Sequence, residues 1–151
     1  MKFYSGDFYS IINILFIFQV KFNAKYQIDV VNQERDKLNL TRVVENPCLN
    51  AAAQSHSKYM ASKYAVTQDS AEGDLLSLLQ AFGMKSFNVA TINMGGSYFC
   101  DQDFLKALST EPTNVENMLD PDVRLIGLAV AESTKGIPYW TQIFSNGKCT
   151  K

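Results

Sequence analysis

Arg124-Leu125-Ile126-Gly127-Leu128-Ala129-Val130-Ala131 and Pro138-Tyr139-Trp140-Thr141-Gln142-Ile143-Phe144, joined by Glu132-Ser133-Thr134-Lys135-Gly136, decide the fold. In the first run Ile126, Leu128 and Val130 alternate with Leu125, Gly127 and Ala129, so both faces of an extended chain are apolar. Such a strand must be covered on both sides. The second run is aromatic and β-branched, and the polar, glycine-ended link reads as a hairpin loop. An antiparallel pair therefore sits at the centre, and the rest of the chain has two faces to cover.

The upstream sequence supplies helices for that purpose. Asn46-Pro47 is a helix entry: the Asn side chain caps, and Pro47 occupies the first position, where its missing N–H costs nothing. Leu49, Ala52, Ala53, His56 and Met60 then recur at helical spacing as one apolar stripe. Asp74 caps a helix carrying Leu75, Leu78, Leu79 and Phe82, which Gly83 ends. Asp101 to Leu108 is another, with Phe104, Leu105 and Leu108 inward, stopping before Glu111-Pro112. Val30 to Leu38 reads as a short charged helix with Val31, Arg35 and Leu38 on one side. Ser86 to Met94 alternates as a strand with Phe87, Val89 and Thr91 on one face, and Gly95-Gly96 after it reads as a tight turn. The expected class is α+β: a three-layer α-β-α sandwich around a small antiparallel sheet.

Composition bounds the function. The chain has 151 residues, 46% of them hydrophobic, enough for one domain with a real core, and it shows no internal repeat or low-complexity linker. Fourteen basic against fifteen acidic residues leave no positive field, so nucleic acid is not an expected partner. One histidine excludes a zinc site built on two His, and a four-ligand finger would need His56 with all three cysteines. Asp101, Asp103, Glu111, Glu116, Asp120 and Asp122 lack the alternate spacing of a calcium loop and read as a solvated acidic face. His56, alone on an apolar helix face, reads as a satisfied core residue.

Residues 1–24 differ from the rest. Lys2 precedes the apolar run Ser10 to Val20, too short to span a bilayer but suited to the core of a secretory signal peptide, with cleavage expected near Ala24. The competing reading is an amphipathic or buried first helix. The domain is then 25–151, secreted and without stable membrane insertion. Asn39-Leu40-Thr41 is an N-glycosylation sequon, which agrees with secretion. Cys48, Cys100 and Cys149 have no C-x-x-C spacing and read as one disulfide plus a single thiol. Three pairings exist. Cys48 with Cys149 is favoured, because a helix start and a chain end are easily stapled.

Five stretches together resemble the CAP superfamily, the SCP-like extracellular domain of cysteine-rich secretory, antigen 5 and pathogenesis-related proteins, in its single-domain bacterial and fungal form. They are Val31-Asn32-Gln33-Glu34-Arg35; Asn46 to Ser57 with Met60-Ala61; the loop Asn117-Met118-Leu119-Asp120-Pro121; Ile126 to Ala131; and Pro138 to Phe144. The resemblance implies a cleft marked by a His in a Ser-His-Thr step, a Glu in a Gly-Glu-Asn step and a His in a Gly-His-Arg step. The matching positions here are Val66 or Thr67, Ile92 and Asn114. Two imidazoles and a carboxylate hold a divalent cation; Val, Ile and an amide do not, and none of them titrates near neutral pH. The cleft is therefore expected to be degenerate, with no catalytic residue, metal or other cofactor.

The function expected from this resemblance is a secreted, non-catalytic module that binds a small apolar ligand, a lipid or sterol, or an extracellular protein. The enzymatic alternative is a weak hydrolase around His56 with Ser55 or Ser57, but adjacent helical residues diverge by about 100° and do not make the necessary pair. A diverged copy without an independent task is the remaining alternative.

Overall fold

The computed structural model describes residues 19–151. Of the expected leader, Met1 to Phe18 lies outside the described residues. Among those described, five helices and six strands follow in the order α1 (Ala24–Lys37), β1 (Val44–Glu45), α2 (Pro47–Lys63), α3 (Leu75–Ala81), β2 (Met84–Lys85), β3 (Ala90–Gly96), α4 (Asp101–Ser109), α5 (Pro112–Leu119), β4 (Leu125–Glu132), β5 (Pro138–Ser145) and β6 (Lys148–Cys149). The main sheet runs β1-β4-β5-β3, and β2 with β6 forms a separate ribbon. Its three long strands are antiparallel, while the two-residue β1 adds a parallel edge to β4.

The hairpin forms as the alternation requires. Ile126 and Leu128 enter one cluster with Val31, Val43, Val123 and Phe144, whereas Ala129 and the flanking Leu125 join Leu49, Ala52, Ala53 and Ile143 on the opposite face. Helices α2 and α3 cover this second face; α1, α4 and α5 lie over the other. Gly127 sets the depth of α2: a Cβ there would overlap the backbone carbonyl of Leu49. Side-chain caps start the helices where expected, with Asn46 Oδ1 accepting from Leu49 N at 3.1 Å and Asp74 Oδ1 from Ser77 N at 2.8 Å. Cys48 and Cys149 form a disulfide across a separation of 101 residues, and Cys100 is free. Among the described residues no helix is long and apolar enough to cross a membrane.

Several local expectations are corrected. The first helix begins at Ala24 rather than Val30, because Asn23 accepts from Tyr26 N and caps it; Leu38 ends it on the outside, 56% exposed. The third strand begins at Ala90, since Met84–Lys85 pairs with β6 and Ser86 turns the chain at φ 56°. Phe87 and Val89 consequently enter different clusters. Gly95 and Gly96 are not a turn but the last residues of β3, opposite Trp140 and Tyr139. A Cβ on Gly95 would press on the Tyr98 and Phe104 rings. The stretch after Glu111 is helix α5, with Pro112 at its first turn, and Asp101 is buried rather than part of a solvated acidic face.

Candidate functional site

On the α2 face, strand β5 presents Thr141 to the helix and Gln142 to the opposite side, as neighbours on a pleat must. His56 lies 0% exposed above Thr141, with Nε2 2.8 Å from the Thr67 carbonyl and Nδ1 3.0 Å from Thr141 Oγ1. A carbonyl only accepts, so Nε2 carries the proton and Nδ1 of the neutral ring accepts from the Thr141 hydroxyl. The buried Ser57 Oγ lies 2.8 Å from Thr141 Oγ1, closing the group. Desolvation pushes the imidazole below its ordinary pKa, offset in part by backbone hydrogen bonds at Thr67 and Asp69 and by the charge of Glu72. His56 is thus the satisfied core residue its setting predicted. Ser55 points elsewhere, donating to the Glu72 carboxylate at 3.2 Å.

The positions matched to the cleft are spread along β3. Val66, 48% exposed, lies beside Gly96 and Tyr139, close enough that a Cβ on Gly96 would touch both. Ile92 is four residues away, about 13 Å along the strand, and, half-buried, packs against the α2–α3 core. Asn114 belongs to α5; its carbonyl accepts from Asn93 Nδ2 at 3.1 Å. Thr67 offers its carbonyl to His56. Among the described residues no three His, Cys, Asp or Glu side chains gather to hold a metal ion. The donor set at Val66, Thr67, Ile92 and Asn114 does not fit one either.

The opposite face carries a buried chain of amides. Asn117 Nδ2 donates to Asn93 Oδ1 at 2.9 Å and Asn93 Nδ2 to Gln142 Oε1 at 3.3 Å. Gln142 Nε2 donates to Gln27 Oε1 at 2.9 Å, and Gln27 Nε2 to Asp101 Oδ1 at 2.7 Å. Four elements, α5, β3, β5 and α1, are thereby tied to the first residue of α4. Nearby, the fully buried Arg35 donates only to carbonyls, those of Thr41, Met118, Asp120 and Val123, and holds the loop after α5. Burial and the nearby Arg124 lower its pKa, with Asp120 opposing.

Beside this framework a groove of about 430 Å³ opens between α1, α4 and α5. Val30, Val31, Leu105, Val115, Met118 and Leu119 give it apolar walls, and the exposed Lys106 and Glu34 also border it. The expected loop at Asn117–Pro121 hid this feature, because half of one wall is the helix read as irregular. Pro112 was the available signal, since proline is favoured in a first helical turn.

Residues 28–144 match the profile of the cysteine-rich secretory protein family, CAP. The chain belongs to this family. Among solved structures, the CAP fold here resembles an outer surface protein from Borrelia burgdorferi at 17% identity and TM-score 0.72, covering 86% of this chain and 99% of that one. It also resembles an extracellular protein containing an SCP domain from Bacillus anthracis str. Ames, at 23% identity and TM-score 0.69, over 81% of this chain and 39% of that one. Venom allergen-like protein 4 from Schistosoma mansoni is similar at 12% identity and TM-score 0.60, covering 82% and 88%. No curated protein sequence matches the chain. At these identities the structural likeness speaks for the CAP fold alone.

Proposed function

We propose that this CAP protein is secreted and non-catalytic, and that it binds a small apolar ligand, a lipid or sterol, in the groove between α1, α4 and α5. The observation that carries the reading is the groove itself, about 430 Å³ with six apolar residues in its walls, within the size range of small-molecule sites. The cleft expected from the resemblance is a poorer candidate, because Ile92 packs against the α2–α3 core and Val66 lies at the far end of β3. Two facts support the non-catalytic part. The lone histidine has both ring nitrogens occupied, and the Ser57 hydroxyl beside it is buried. Secretion is supported by the sequon residue Asn39, exposed on the turn after α1, where a glycan fits.

The test is native mass spectrometry of the protein secreted from a eukaryotic host, alongside Val115→Arg, which fills the groove. A lipid-sized adduct on the parent and none on the variant, with equal melting temperatures, is expected. An empty parent that also fails to displace a fluorescent fatty acid or sterol overturns the ligand. Stoichiometric zinc whose chelation costs ~2 kcal/mol or more of stability overturns the metal-free reading.

A further inference from the structure

Residues Val20 to Asn23 precede α1 and pack as part of the fold. Val20 sits against the cluster of Phe104, Leu105, Leu108 and Trp140. Lys21 N donates to the Phe99 carbonyl at 2.8 Å, in a parallel bridge to Cys100. The Phe22 ring stands edge-on to Trp140, with centroids 5.9 Å apart. Asn23 does the most. Its side chain caps α1 through Tyr26 N at 3.0 Å, and its own N–H lies 3.1 and 2.9 Å from the two oxygens of Asp101. Asp101 is only 4% exposed, and it also accepts from the Gln27 amide at the end of the buried chain.

We infer that residues 20–23 are retained in the mature protein, so that any leader is removed before Val20 and the bond after Ala24 is not the processing site. Cleavage after Ala24 would delete the helix cap and place a free ammonium within the first turn of α1, where the helix dipole disfavours positive charge. It would also leave the buried Asp101 carboxylate without the Asn23 N–H, and would uncover Trp140 on the side that Phe22 shields. The sequence around that bond agrees. A signal peptidase site favours small side chains, and Phe22 stands at one of the two positions where they matter.

Intact mass and N-terminal sequencing of the secreted protein decide the matter. A first residue at or before Val20, including an unprocessed chain, supports the inference; a first residue at Lys25 overturns it. Thermal melting tests the physical basis independently. Residues 20–151 should melt about 5 °C or more above residues 25–151, and failure of the shorter chain to fold points the same way. Equal melting overturns it. Phe22→Ala in the longer chain provides a milder check, with a lower melting temperature expected and an unchanged one counting against the packing role.

Discussion

The two faces of the sheet are held by different physics. On the α2 side, beside the His56–Thr141–Ser57 hydrogen bonds, the contacts that set position are steric and covalent: helix backbone rests directly on Gly127, and the first turn of the helix is bonded to Cys149. On the α1 side the contacts are directional: amides in sequence from Asn117 to Asp101, and a guanidinium spread over four carbonyls. A face fixed by shape tolerates no added atoms where helix and strand touch. The apolar groove lies on the hydrogen-bonded face, between α1, α4 and α5.

The largest effect should come from the covalent side. Cys149→Ser opens a loop of 101 residues and is expected to cost about 4 kcal/mol in chemical denaturation; reductant should then destabilise the parent and leave the variant unchanged. Gly127→Ala should follow, at about 3 kcal/mol, because the backbone of α2 has no rotamer with which to yield. If alanine were accepted there without loss, shape would not be what fixes this face. Gln142→Leu interrupts the amide chain and should cost about 2 kcal/mol by orphaning the Gln27 carbonyl oxygen. A neutral result would mean that the opposite face does not depend on its hydrogen bonds.

The smallest effect is a slope. The native His56 pKa is depressed, whereas the unfolded imidazole titrates at about 6.5. Below that pH the unfolded chain binds a proton that the native state refuses. The stability contribution is therefore whole above pH 6.5 and declines as pH falls toward the native value. His56→Gln should flatten this part of the pH dependence of melting between pH 7 and 5; an unchanged slope would place the acid sensitivity elsewhere.

Much of the α2 face was legible in the sequence. Periodicity alone puts Leu49, Ala52, Ala53, His56 and Met60 on one stripe, and the Asn46 and Asp74 caps mark helix starts through local chemistry. The opposite face was less so. Its helix α5 is hidden when Pro112 is read as a stop rather than a first-turn residue, and β1 is two residues long, too short for any alternation. The amide chain joins positions up to 115 residues apart, from Gln27 to Gln142, and no local pattern encodes such pairing. One clue existed: Gln142 lies among Trp140, Ile143 and Phe144 on a strand expected to be buried, and a buried amide there requires a partner. The cleft positions rest on resemblance, which carries no information on how Ile92 packs against the α2–α3 core.

The bridge between Cys48 and Cys149 also has a mechanical meaning. Tension applied at Lys151 reaches the disulfide within two residues and passes through covalent bonds into the start of α2, the helix seated directly on the sheet. The short ribbon of β2 and β6 carries almost none of that load, and the strands of the main sheet are not peeled from their end. Oxidised, the molecule is anchored for pulling at the longest of its described helices; reduced, the same pull would strip β6 and then β5 one hydrogen bond at a time.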